Sequence, residues 1–474
     1  MKYEWVSPSK ISKNIFDQII ESRNISKIEL EKYLKPDFFK DQSDPRLITN
    51  MKKAIKRIKN AFDNHENIGI FCDYDADGIP AGAMLVRAAS KFSNTIKTFI
   101  PTREEGYGIS QKSLDYFLEN KCSLVIAVDV GITAKDIALK YKNENIHLII
   151  IDHHLIIDDS YPESAYCVVD LKQESEKYPY KEFSAGGLVW KLLYAMHLEF
   201  NLFSELEIKW LLDLAAISTI SDMVPMTGEN WLISKFGLVV LSKTKNIGLR
   251  QLIETSMIDK DKIDEYSVGF QIGPRLNDSG RMADPIDSFN LLIENDKTHA
   301  KNLSRKLENN NKLRQSEMQL AFLEAQKKID SEIKIKDKII IVKSSKWQEG
   351  ILGLVASKIV EKYFLPAIVL KEKKEILVGS ARSIEGIDII NILEENKQYI
   401  ISFGGHKMAA GLRVKVDEFD KFKQEIINLT NKKVPDILLR KKLKVDAISN
   451  NLENIDLKLY GKIEKMRPFG ESHK

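Results

Sequence analysis

A chain of 474 residues exceeds what one hydrophobic core normally supports, and a prior of about 150 residues per domain implies roughly two to four domains. With 43% apolar and 30% charged residues the composition excludes extensive disorder, and a formal net charge of +4 from 72 basic and 68 acidic groups is too balanced to establish a nucleic-acid partner. No run approaches the roughly 18 apolar residues of a membrane span, the N-terminus has no apolar signal core, and Cys72, Cys122 and Cys167 lack C-x-x-C spacing, so we expect a cytoplasmic protein with no membrane partner, disulfide framework or structural zinc cluster.

Residues 1–49 mix short helical patterns with turn signals and are expected to form an N-terminal extension packed on the first domain. A first domain is expected over 50–295. Helical spacing over 50–64 leads into a strand at 68–72, and further strands at 96–100, 124–128 and 147–151 alternate with helices at 81–92, 111–119 and 134–143. Continuous apolar strands alternating with helices predict an α/β fold with a parallel sheet covered on both faces. A mainly helical stretch follows and brings out Asp222, and a loop is expected at 271–281. Helix formers without glycine or proline predict a long connecting helix over 296–335 or, since its leucine spacing is irregular, part of a helical bundle, joined to a smaller α/β domain over 336–434.

The chemistry-bearing residues fall after the apolar runs. Asp73-x-Asp75-x-Asp77-Gly78 resembles the start of an EF-hand loop, but the twelfth position is Met84, Pro80 intervenes and a strand precedes it. Alone, this stretch reads equally well as a solvated acidic turn or a divalent-metal site. Asp129 ends the run 124–128, and Asp152-His153-His154 ends the run 148–151, which favours the metal. Clustered carboxylates repel one another unless cations neutralise them. Mixed carboxylate and imidazole ligation suits two divalent cations, Mn²⁺ first and Mg²⁺ as the alternative. Glycine-rich loops at 379–383 and 403–411 offer Ser380, Arg382 and His406 for phosphate recognition, although glycine turns usually only turn. Arg103, Arg275 and Arg281 are substrate-binding candidates or, equally simply, surface ion pairs.

Taken together, these motifs resemble the DHH phosphoesterase superfamily and, within it, the RecJ family of single-strand-specific exonucleases. The likeness includes the stretch Asp213–Pro225, the loop Gly273–Arg281, Trp347–Gly353, Gly379–Ser383 and Gly404–Gly411 in the family's order. It implies that Asp75, Asp77, Asp129, His153 and Asp222 ligate metal, with Asp129 bridging two ions. Asp73 and Asp152 would be ligands or support them, and His154 would sit by the scissile phosphate. Ser380, Arg382 and His406 would bind substrate phosphate in a DHH-associated domain, helped by Arg275 or Arg281. The family further implies 5′ to 3′ cleavage of single-stranded DNA in recombination and repair, alongside a helicase and a single-strand-binding protein. Where the family commonly carries histidine after the tryptophan, this chain has Gln348. Residues 435–474 resemble the truncated start of a C-terminal OB-fold region and are expected to be poorly ordered. The expected mechanism is two-metal phosphodiester hydrolysis, assisted electrostatically by His154 and nearby arginines. Two rivals are a phosphodiesterase of short oligonucleotides or small phosphate esters, and a nuclease-inactive single-strand-binding relative.

Overall fold

The structure, a computed structural model, describes residues 3–8, 14–92, 95–102, 105–282, 284–332 and 337–474. The chain divides into two compact units, one made of Ile15–Asn311 with Ser449–Lys474 and the other of Met1–Asn14 with Lys312–Ile448.

The first unit is built on five strands: β1 (Ile68–Cys72), β2 (Ile96–Phe99), β3 (Leu124–Val128), β4 (His147–Ile151) and β5 (Cys167–Val169). They pair in parallel, in the order β2-β1-β3-β4-β5. Successive residues serve two different cores: Ile68, Ile70, Leu124, Ile126 and Val128 pack on one face, while Phe71, Val125 and Ala127 pack on the other. That explains why the strands read as unbroken apolar runs instead of alternating ones. Helices α1 (Gly78–Ala89), α2 (Ala185–Phe200) and α3 (Leu212–Ser221) supply most of the first core. Helix α1 begins earlier than its apolar pattern predicts, because Pro80 falls in the first turn, where its missing N–H costs nothing.

The expected loop over 271–281 is instead helical. A π-helical segment (Ser267–Ile272) runs into α4 (Gly273–Met282), and Val268, Ile272 and Leu276 bury one side of it. Pro274 is again in a first turn and does not interrupt it.

Residues 435–474, expected to be poorly ordered, are folded. A helix spans Leu457–Lys465 and the tail beyond it returns to the first unit. There Trp231 Nε1 donates to Met466 O at 2.8 Å, Met226 N donates to Glu471 O at 2.7 Å, and buried His473 stacks on Tyr33 at 4.9 Å. Satisfied backbone groups and buried rings offset the ordering entropy.

The N-terminal residues are divided between the units. Glu4–Val6 pairs in parallel with Lys442–Lys444 in the second unit, whereas residues 15–49 belong to the first. In the first unit a fully buried Lys191 forms an ion pair with Glu229 and donates to Gln42 Oε1 at 2.6 Å. Glu229 also accepts from Tyr178 Oη at 2.9 Å and from Ser43 N at 3.2 Å. Glu229→Ala leaves a buried ammonium without its counter-ion, and we expect a loss of about 3–5 kcal/mol in urea unfolding. An unchanged midpoint would show that the pair does not anchor this segment.

The second unit follows α5 (Lys297–Glu332), the long helix expected from the sequence, whose residues from Lys312 onward belong to it. Its sheet contains β6 (Ile340–Ser344), β7 (Ala367–Lys373), β8 (Ile376–Arg382), β9 (Ile400–His406) and β10 (Ala409–Lys415), in the order β9-β10-β8-β7-β6. Only β6 and β7 are parallel. The two glycine-rich stretches expected as loops are therefore largely strand. Gly379–Arg382 ends β8, and a tight turn at Lys407-Met408 pairs Gly404 with Gly411. Helix α6 (Leu352–Tyr363) packs on this sheet.

Candidate metal centre

The sheet register brings three of the carboxylates together. Cys72, Val128 and Ile151 are paired neighbours on β1, β3 and β4, so Asp73, Asp129 and Asp152 leave the sheet side by side. Strand order reverses between β1 and β3, and such a switch point opens a crevice at the carboxyl ends of the strands.

Each side chain is held differently. Asp75 Oδ1 accepts from the N–H groups of Asp77 (2.8 Å) and Gly78 (3.0 Å), which turns the chain into α1. Asp77 is nearly buried and accepts from Ala185 N (2.8 Å) and Gly186 N (2.9 Å) at the start of α2, and from Ser218 Oγ on α3. A Cβ at Gly186 would collide with Ser218 Oγ, so only glycine lets these three donors converge on Asp77. Asp129 adopts a left-handed backbone, φ +63°, which a short polar side chain tolerates better than most. Tyr107 Oη donates to its carbonyl at 3.2 Å. Asp222 caps the C-terminal end of α3.

Asp152 behaves differently from the others. It is fully buried, and its Oδ2 accepts from Ile132 N at 2.9 Å. Its Oδ1 accepts from His153 N at 2.8 Å and lies 2.7 Å from His154 Nδ1. Burial acts to raise its pKa, but the His154 hydrogen bond and charge, with the Ile132 N–H, carry it below the usual carboxylate range. Burial likewise opposes protonation of His154, yet Asp152 raises its pKa to about 9. Asp152 thus folds the His153-His154 turn and orients the His154 ring; its oxygens are committed to those tasks.

The remaining groups converge without bonding one another. His153 Nε2 lies 3.2 Å from Asp129 Oδ1, 3.4 Å from Asp77 Oδ2 and 3.7 Å from Asp222 Oδ2. None of these approaches has hydrogen-bond geometry: His153 Nε2, Asp129 Oδ1 and Asp73 Oδ1 are all buried and unpartnered. Ligand atoms of Asp73, Asp75 and Asp129 lie within 4.8 Å of one another, as do those of Asp77, His153 and Asp222, and those of Asp129, His153 and His154. Buried lone pairs aimed at a common space, with like charges beside them, fit hard divalent cations with oxygen and imidazole ligands.

Their ionisation carries the same signature. Burial, then the Asp75 charge, pushes Asp73 up to about 8, and burial with Asp77 and Asp75 pushes Asp222 to about 8. Burial and neighbouring carboxylates also raise Asp77 and Asp129. A carboxyl with a raised folded-state pKa stabilises the fold at low pH and loses that contribution as pH climbs to the folded value. The metal-free chain should therefore lose stability between about pH 4 and pH 8. Manganese should bind with proton release, its affinity rising over that interval. Calorimetry in buffers of different ionisation enthalpy measures the release, and pH-independent binding would contradict this electrostatic account.

The DHH family, N-terminal domain, matches residues 67–219, and the DHHA1 domain matches residues 336–432. Residues 67–219 are thus a DHH-family domain. It is 35% identical over 435 residues to the single-stranded-DNA-specific exonuclease RecJ of Bacillus subtilis, covering 91% of this chain and 54% of that protein. It thus spans about half the length of this relative. The RecJ of Haemophilus influenzae is 29% identical over 434 residues, covering 88% of this chain and 74% of the relative. Among solved structures, an exonuclease RecJ bound to manganese superposes with a TM-score of 0.71 at 27% identity, over 82% of this chain and 96% of that one. The fold is also that of RecJ from Thermus thermophilus with Mn²⁺, with a TM-score of 0.80 at 23% identity, over 99% of this chain and 68% of that one.

In the DHHA1 domain, His406, Ala409 and Arg382 are successive partners across β9, β10 and β8, and Ser380 lies two residues before Arg382 on the same face. The Arg382 guanidinium donates to Ser380 Oγ and to Ala381 O, each at 2.9 Å, and burial lowers its pKa. At Gly353, in the first turn of α6, a Cβ would come within 2.7 Å of Arg382 Nη2. A half-buried guanidinium against a helix N-terminus favours an anion. Gln348 caps a single helical turn with its backbone alone, and the adjacent Trp347 Nε1 donates to Glu324 Oε2 at 3.1 Å.

The other arginines differ. Arg275 is turned to Glu308, with Nε to Oε2 at 2.6 Å, and to Gln271 O at 2.8 Å, so the ion-pair reading describes it in this structure. Arg103 and the Arg281 side chain lie outside the described residues. Sequence reasoning missed Ser218, Tyr107 and Asn277, whose Oδ1 accepts from Ala76 N at 2.7 Å in the acidic loop. Ser218 was findable, because it precedes Asp222 by one helical turn and so shares its face.

Proposed function

We propose that this chain hydrolyses phosphodiester bonds in single-stranded DNA from the 5′ end, as a RecJ-type exonuclease of recombination and repair that uses two divalent cations, Mn²⁺ or Mg²⁺. The observation that carries the proposal is the set of buried, unpartnered ligand atoms on Asp73, Asp129 and His153, together with relatives named single-stranded-DNA-specific exonucleases. Asp73, Asp75 and Asp129 would hold one cation, and Asp77, His153 and Asp222 the other, with Asp129 beside both groups. When bound, the ions supply Lewis acidity toward phosphate oxygens and favour deprotonation of water.

The chain's own residues set the rest. Asp77, fixed by three donors, and Asp129, fixed through its backbone, keep the ligand atoms in place without substrate. That preorganisation removes reorganisation from the chemical step. Asp152 holds His154 Nδ1 and keeps its imidazole protonated, so the half-exposed ring can donate to a phosphate oxygen as charge builds there. Arg382, Ser380 and His406 would bind a phosphate of the strand. In the cell a helicase would unwind that strand and a single-strand-binding protein would coat it.

Metal-dependent digestion of 5′- and 3′-labelled single-stranded and duplex DNA, beside a dinucleotide, tests the reading. Release of 5′-terminal mononucleotides from the single strand alone is expected. Turnover confined to the dinucleotide would overturn it in favour of a small-ester phosphodiesterase, and tight binding without turnover in favour of a binding protein.

A further inference from the structure

Two aromatic rings beside the metal centre have no role in the chemistry described so far. Tyr266 is 58% and Phe270 68% exposed, and the rings stack on each other with centroids 4.9 Å apart and planes 23° apart. Tyr266 immediately precedes the π-helical segment Ser267–Ile272 and Phe270 lies within it, and the segment's other side is formed by fully buried Val268 and Ile272. Burial of that side accounts for Val268 and Ile272. It does not account for two large rings on the wet side, where polar residues would cost nothing.

Their position is fixed by what the same continuous helix touches. A Cβ at Gly273 would lie 2.5 Å from Ser221 Oγ, one residue before Asp222, and one at Gly269 would lie 3.9 Å from Ile220. Farther along, Asn277 accepts from Ala76 N in the loop that carries Asp75 and Asp77. Phe270 precedes Gly273 by about one turn, roughly 5 Å of axial rise. Met223, the residue after Asp222, is 69% exposed. π-Helical turns concentrate at functional sites because the wider turn re-aims side chains.

We infer that Tyr266 and Phe270 form a stacking platform for unpaired bases of the strand whose backbone enters the metal centre. The inference rests on the nuclease reading proposed above. Phosphates are drawn to the cation site, and the bases attached to them need flat apolar surface close by. A pair of exposed rings on the helix that touches Ser221 and the acidic loop provides it for any base, because every base has a π-face. Bases in a duplex are already stacked and paired, so the platform also favours single strands.

The test is the double variant Tyr266→Ala/Phe270→Ala, which should keep the wild-type melting temperature because both rings are exposed. On an oligothymidylate of about twenty nucleotides we expect KM to rise at least about tenfold, with kcat within about twofold. Anisotropy of the fluorescein-labelled strand in EDTA should show a matching loss of affinity, and Tyr266→Phe/Phe270→Tyr should restore both. Equal KM and Kd for wild type and double variant would overturn the platform. So would a variant that changes only the sedimentation of the protein, since the rings would then face a second copy. If the variant loses strand affinity but the wild type cleaves no strand in manganese or magnesium, the platform stands and the nuclease reading falls. If the wild type cleaves and the variant matches it, the reverse holds.

Discussion

Asp129→Ala is expected to lower the manganese-dependent rate on single-stranded DNA by at least about a thousandfold while leaving the chain folded. Asp129 contributes a buried, unpartnered oxygen 3.2 Å from His153 and stands within ligand distance of Asp73 and Asp75. No other carboxylate among the described residues joins both ligand groups in this way. Its removal also relieves repulsion in the metal-free protein, since burial and four other aspartates already oppose its charge. The opposing cost is the left-handed backbone, about 1–2 kcal/mol for alanine. Single-turnover cleavage and thermal melting separate the two effects. A folded variant with the wild-type rate would remove Asp129 from the mechanism and, with it, the two-ion reading.

Asp152→Asn should lower kcat by about a hundredfold or more and weaken manganese binding far less. The carboxylate oxygens accept from Ile132 N and His153 N, and Oδ1 also meets His154 Nδ1. An amide replaces one acceptor with a donor, so at least one of these N–H groups would face another donor. His154 would lose the partner that raises its pKa to about 9, and with it both its orientation and its charge. Steady-state kinetics with manganese titration calorimetry gives the comparison. If cation affinity falls more than kcat, Asp152 is a ligand and not a positioning residue.

Much of this was legible in the sequence, because the parallel sheet and the candidate metal residues at its edge share a cause. Apolar runs buried on both faces mark β1, β3 and β4, and the residue after each run must leave the sheet at its functional edge. Asp73, Asp129 and Asp152 were located by that rule alone. The rule could not separate them, since an acceptor committed to backbone N–H groups looks the same in sequence as one left free. Arg275 was ambiguous for a similar reason: its partner Glu308 lies on α5, and no local pattern connects them. The helix at 267–282 was missed because glycine and proline signal a turn until tertiary burial of Val268, Ile272 and Leu276 overrides them. The strands at 379–382 and 403–411 were missed because glycine weakens a strand locally, while cross-strand pairing of Gly404 with Gly411 is non-local.

The ligand groups are spread from Asp73 to Asp222, about 150 residues of chain that take on the order of ten seconds to synthesise. Asp73, Asp75, Asp77 and Asp129 must pass that interval without Asp222 or the Ser218 hydroxyl that fixes Asp77. In the complete fold burial holds Asp73 and Asp129 toward their protonated forms, so in the metal-free chain protons take the place of cations on these oxygens. The far end of α3, with Ser218 and Asp222, is therefore the part of the cluster that the chain supplies last.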